Sequence, residues 1–190
     1  MKSMENKNKK QVKLNLGCGH DYREGFVNID FNKKIKADIY CDLNKKLPFK
    51  DNSIDYVYSA HTFEHIIHYF DFIDELRRIC KKGAIIEVYV PHFTSIFATK
   101  YPSHYRTFGI GSFVCFTDYS SDKQEYSRAK FEIITEKLIF AMRGHPFLYR
   151  WLNFTNFFWN INGSKRWQQI CERFQIFGFD EIYFKLRVIK

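Results

Sequence analysis

Paired cysteines are missing from this chain. Its five cysteines, Cys18, Cys41, Cys80, Cys115 and Cys171, are odd in number and contain no C-x-x-C pair. That argues against a disulfide framework and a zinc knuckle, and it points to a reducing cytoplasmic setting. Long apolar runs are missing too. A membrane span needs ~18–20 apolar residues, and the nearest approach, residues 147–161, is broken by Arg150, Asn153, Asn156 and Asn160. The basic N-terminus is followed by no apolar segment, so no secretory signal is expected. There is no internal repeat and no second domain boundary.

What the chain does have fits one α/β domain. At 190 residues and 45% hydrophobic content it can bury a core of its own. Lys2, Lys7, Lys9, Lys10 and Lys13 crowd a start with almost no apolar content. Residues 1–11 therefore read as a disordered basic tail, and 12–190 as the domain, with 93–178 supplying substrate-side loops and helices. Strands are expected at Val12–Leu16, Phe26–Asp30, Asp38–Asp42, Ile54–Ala60, Ala84–Val90, Phe131–Phe140 and Asp180–Ile189. In the last of these Ile182, Phe184, Leu186 and Val188 alternate with polar residues. Thr62 reads as the N-cap of a helix whose apolar face is Phe63, Ile66, Ile67, Phe70, Ile73, Leu76 and Cys80, closed by Lys81, Lys82 and Gly83. Residues 145–177 read as two helical pieces broken near Asn162-Gly163-Ser164. Strands alternating with a helix imply βαβ units and a parallel sheet.

The chemistry concentrates where strands end. Gly17-Cys18-Gly19 follows the first strand, and glycines let a backbone turn sharply and approach a ligand closely. A dinucleotide site would require G-x-G-x-x-G opening a long helix. Here Tyr22 takes the third glycine's place and the next strand follows too soon, which counts against an NAD-linked oxidoreductase. Asp30, ending the second strand, offers two acceptor oxygens suited to a ribose diol. Asp42, ending the third, can accept from an adenine amino group. Taken singly, each of these acids reads equally as a turn or cap residue.

These features resemble the class I S-adenosylmethionine-dependent methyltransferases, in particular a small UbiE-like, type 11 kind. The likeness covers roughly residues 12–92 and rests on Leu14-Asn15-Leu16-Gly17-Cys18-Gly19, Asn28-Ile29-Asp30, Asp42-Leu43 with Leu47-Pro48-Phe49, and Asp55 to His61 with Phe63-Glu64-His65-Ile66. It implies a Rossmann-like, doubly wound, seven-stranded sheet, mostly parallel with an antiparallel last strand. It implies S-adenosyl-L-methionine as cofactor, bordered by Gly17, Cys18, Gly19, Asp30, Phe31, Asp42, Leu43, Ser59, Ala60 and His61. The family often has an acid where this chain has Asn15, and the usual first helix is nearly absent.

His61-Thr62-Phe63-Glu64-His65 spells the H-x-x-E-H of inverted zinc peptidases. It falls at a strand end rather than within a helix, so no metal site is expected from it. His104 and His92 are the candidate catalytic bases, since a hydroxyl nucleophile is helped by a group that titrates near neutrality. Phe108, Phe113, Phe116, Trp151, Phe154, Phe157, Phe158, Trp159 and Trp167 fit either core packing or a lid over an apolar or sugar-bearing substrate. With Arg143, Arg150, Lys165 and Arg166 they also offer a surface for peripheral membrane contact. The expected activity is O-methylation of a small molecule or glycan precursor. A catalytically silent binding module and an RNA methyltransferase are the alternatives. Nucleic acid is disfavoured because no binding appendage is visible, and no obligate protein partner is marked.

Overall fold

The computed structural model describes residues 11–118, 127–139, 169–170, 172–173 and 179–190. The expected basic tail, the two helical pieces and the tryptophans assigned to a lid lie outside these residues, apart from a few positions.

Seven strands form one sheet: β1 (Lys13–Leu16), β2 (Val27–Asp30), β3 (Ile39–Tyr40), β4 (Ile54–Ala60), β5 (Cys80–Pro91), β6 (Lys130–Ile139) and β7 (Glu181–Ile189). Their spatial order is β3-β2-β1-β4-β5-β7-β6. β1 to β5 pair in parallel, and β7 inserts antiparallel between β5 and β6. This is the Rossmann-like architecture expected. The order reverses between β1 and β4, so the carboxyl ends of those strands diverge and open a cleft there. β1 lies inside the sheet, and Leu14, Asn15 and Leu16 are all buried, as a strand covered on both faces requires.

Helix α1 (Tyr69–Ile79) packs on one face through Tyr69, Phe72, Ile73, Leu76 and Ile79. Phe63, Phe113, Phe116, Phe131 and Phe184 fill the same side. Phe63 meets Phe72 edge-on at 5.0 Å, and Phe113 meets Phe184 at 4.7 Å. Phe108, Phe113 and Phe116 are thus core residues and not a lid. Along the opposite face run Tyr58, Tyr89 and Tyr183, with neighbouring ring centroids 5.8 and 4.7 Å apart and Arg23 stacked over Tyr58.

The helix departs from its expected limits at both ends. Residues Phe63–His65 make a single 3₁₀ turn, Ile66 turns extended, and α1 begins only at Tyr69. Thr62 makes no side-chain cap bond; its hydroxyl donates instead toward the carbonyls of Leu16 and Ala60. The amides of Ile67 and His68, just ahead of α1, are taken by Asn44 Oδ1 from a distant loop. Ile67 and Phe70 are left half-exposed. At the other end, amides of Asn52 and Ser53 satisfy the carbonyls of Arg78 and Ile79, so no glycine stop is needed. The chain enters β5 at Cys80 directly. Gly83, at φ +80°, sits where the β4–β5 register slips between Ile54↔Cys80 and Tyr56↔Ile85.

Candidate active site

The glycine loop is held from both sides. Gly17 and Gly19 adopt φ of +63° and +50°, the left-handed region open to glycine at little cost. A Cβ on Gly17 would fall 2.2 Å from Thr62 Oγ1, whereas one on Gly19 would meet nothing within 4 Å. The first glycine therefore permits close approach of the chain leaving β4. The second borders open space at the mouth of the cleft. The Cys18 side chain is buried and directed at the Lys36 carbonyl, so this loop offers main chain to the cleft. Burial pushes the Cys18 thiol pKa up, with Asp30 adding to the shift.

Beneath the loop lies a polar network that sequence reasoning missed. Asn15 donates to the Asp21 carbonyl at 2.7 Å and to Asn28 Oδ1 at 3.0 Å. Asp38 accepts from the Asn28 main chain and side chain and from the Tyr22 hydroxyl. These bonds, led by the Asn28 amide, hold the Asp38 carboxyl below its usual range. Asn15 is thus a structural clamp, committed within the fold.

Asp30 is 7% exposed. Its Oδ2 accepts from the Gly19 amide and its Oδ1 from the Asn32 amide, both at 2.8 Å. Each oxygen keeps a lone pair for a further donor. Beside it Phe31 is 79% exposed, an apolar ring left open next to a carboxylate. Asp42 lies past the end of β3, and its Oδ1 accepts from the Asn44 amide and side chain; the amide bond leads in lowering its pKa. Leu43 is buried. Ser59 is fully buried with its hydroxyl on the Leu16 carbonyl, so it faces the sheet interior.

The loop, the Asp30 oxygens and the Phe31 ring fit an adenosine-bearing ligand. The main chain can approach it, the carboxylate can take a diol, and the ring can stack on a base.

Next to it, His61, Glu64, His65, Pro91, Phe97, Tyr101, Ser103 and His104 line a cleft of about 340 Å³. His61 holds φ +54°, a strained conformation for a residue with a β-carbon. Its Nε2 lies 2.5 Å from Glu181 Oε1, and its Nδ1 lies 3.5 Å from Glu64 Oε1. Burial works to lower the His61 pKa, but Glu181 and Glu64 outweigh it and raise it to about 9. Glu181 opens β7, 120 residues from His61; sequence spacing gave no signal for it.

His104 stands in this cleft, its Nδ1 donating to the Ala98 carbonyl at 3.3 Å. His92 does not line it. It is fully buried, with Nδ1 beside the Thr94 hydroxyl and accepting from the Thr94 amide, and with Nε2 donating to Glu172.

Residues 14–88 match the family described as a methyltransferase domain. An uncharacterised protein of Methanocaldococcus jannaschii is 35% identical over 103 residues, a stretch covering 47% of this chain and 45% of that protein. The match thus spans less than half of that relative's length. Among solved structures, the YcgJ protein of Bacillus subtilis overlays 97% of this chain and 94% of its own, with a TM-score of 0.59 at 12% identity. A putative methyltransferase from Haloferax volcanii, in complex with its Trm112 activator, overlays 95% and 83% with a TM-score of 0.57 at 16% identity. A S-adenosylmethionine-dependent methyltransferase from Archaeoglobus fulgidus overlays 93% and 86% with 0.54 at 16%. No helix among the described residues is long and apolar enough to cross a membrane. Residues 14–88 thus match a methyltransferase domain, on a seven-stranded sheet that overlays those of S-adenosylmethionine-dependent methyltransferases of known structure.

Proposed function

We propose that this chain transfers a methyl group to an oxygen of a small molecule or glycan precursor seated in the cleft between His61 and His104. One observation carries the reading. The cleft is lined from the carboxyl-end region of β4 and β5, beside the glycine loop, and its lining presents lone pairs to a hydroxyl. When bound, S-adenosylmethionine supplies a methyl carbon made electrophilic by a positively charged sulfur. Asp30 holds the ribose, Phe31 and Leu43 border the adenine, and the Gly17–Gly19 main chain faces the methionine portion. Asp42, already committed to Asn44, serves the adenine edge only through its remaining lone pairs.

His104 is the proton acceptor in this reading. With Nδ1 donating to Ala98, Nε2 keeps its lone pair. It receives the proton that the acceptor hydroxyl sheds as its oxygen bonds the methyl carbon and the carbon–sulfur bond breaks. Most of the acceleration comes from holding oxygen, carbon and sulfur in line. His92, buried outside the cleft with both nitrogens engaged, takes no part in proton transfer. The Haloferax neighbour is held by an activator. Here Asp30 already ties the glycine loop to β2 within the chain, so we expect cofactor binding without a partner.

Calorimetry with S-adenosylhomocysteine tests the donor site. Asp30→Ala should weaken binding about 10–100-fold, the worth of a hydrogen bond to a charged group. Release of S-adenosylhomocysteine against a panel of hydroxylated acceptors tests the reaction. Absence of binding, or full turnover in His104→Ala, refutes the corresponding part.

A further inference from the structure

Glu64, His65 and His104 form a cluster in the acceptor cleft that methyl transfer does not by itself explain. One ligand atom from each lies within 4.8 Å of those of the other two. Glu64 is 1% exposed, yet neither of its side-chain oxygens receives a hydrogen bond. Its nearest charged neighbour, His61 Nδ1, stands at ion-pair distance, 3.5 Å. The His61 pair engages Oε1 only, and a buried carboxylate whose Oε2 has no partner remains costly.

Both imidazoles are oriented as metal ligands commonly are. His65 Nδ1 donates to the Ser103 carbonyl at 3.0 Å, and His104 Nδ1 donates to that of Ala98. Backbone carbonyls at one ring nitrogen fix the tautomer and leave Nε2 with a lone pair. The rings stand edge to face at 4.6 Å. Their two segments are laced together: the Tyr105 amide donates to the Glu64 carbonyl, and Arg106 donates to the carbonyls of Ile66 and Ile67.

We infer that Glu64, His65 and His104 bind a divalent transition cation of the zinc class. Two imidazoles and one carboxylate suit zinc, cobalt or iron(II) and leave coordination positions open, whereas magnesium prefers an all-oxygen set. The H-x-x-E-H segment contributes its last two residues, and His61 is excluded because Glu181 and Glu64 occupy its two nitrogens. The site shares the cleft with the proposed methyl acceptor, on whose reading its role in the reaction rests. With a cation bound, His104 is a ligand instead of the base: the cation's charge makes the acceptor hydroxyl more acidic, and the proton passes to solvent water.

The test uses the full chain, stripped by chelator and titrated with Co²⁺ and Zn²⁺, followed by calorimetry and Co²⁺ visible absorption. One ion per chain is expected, not displaced by millimolar Mg²⁺. Glu64→Gln, His65→Ala and His104→Ala should each weaken it at least tenfold, while Cys115→Ser leaves it unchanged. A thermal melt of each variant shows that it is folded, and His104→Ala alters only a loop side chain. No binding, or binding unaltered in all three variants, overturns the site. S-adenosylhomocysteine affinity, measured on the same stripped protein, reports on the methyltransferase reading separately.

Discussion

Gly17→Ala and Gly19→Ala should fail for different reasons. Both positions hold positive φ, so alanine pays a backbone penalty of ~1–2 kcal/mol at each. At Gly19 nothing lies within 4 Å of the added carbon, and that penalty is the whole stability cost. For a chain of this size it lowers Tm by roughly 2–8 °C. At Gly17 the added carbon would sit 2.2 Å from Thr62 Oγ1 and 2.6 Å from its Cγ2. Thr62 is buried, branched at Cβ and tied to Leu16 and Ala60, so relief requires moving the backbone or breaking those bonds. Overpacking adds about 1–3 kcal/mol and a lost hydrogen bond about 1 more. The total of ~3–6 kcal/mol lowers Tm by on the order of 10–20 °C. Gly19→Ala instead places a methyl group at the mouth of the cofactor cleft, and S-adenosylhomocysteine affinity should fall at least tenfold in protein that remains folded. Differential scanning fluorimetry and calorimetry on the two variants read both quantities. Equal Tm losses, or unaltered affinity in Gly19→Ala, would refute the division of labour drawn between the glycines.

Phe31→Ala should leave Tm within about 2 °C, since an exposed side chain contributes little to folding, while weakening the adenosine ligand several-fold in the same titration. Asp38→Ala strips the Asn28 amide and the Tyr22 hydroxyl of their acceptor, and chemical denaturation should register a loss of roughly 1–3 kcal/mol. Arg78 donates to Glu75, Asp51 and the carbonyls of Leu47 and Phe49, and it leads in holding the Glu75 and Asp51 carboxyls below their usual range. Carboxyls depressed in the folded state stabilise it above their unfolded pKa of about 4 and lose that contribution as pH falls through the lower folded values. Tm should therefore drop below about pH 4, and Arg78→Ala should flatten that acid limb; an identical pH profile in the variant would contradict the assignment.

The glycine loop and its flanking acid were legible in the sequence because their information is local. Val12–Leu16 running into Gly17-Cys18-Gly19, with Asp30 at the next strand end, needs only strand period and turn chemistry, and each feature stands where the spacing put it. The alternation in β7 fixed its inward face as Ile182, Phe184, Leu186 and Val188 in the same way.

Other features depended on contacts between distant segments. The start of α1 moved from Thr62 to Tyr69 because Asn44, from another loop, takes the amides of Ile67 and His68. Asn15, matched as a departure from a family acid, turned out to be a clamp on Asp21 and Asn28. The cleft is assembled from His61, Glu64, His104 and, behind them, Glu181. Periodicity reports which side chains share a face of one element. It carries nothing about a hydrogen bond made across 120 residues, and that kind of bond, made only once the sheet has closed, brings these side chains into one site.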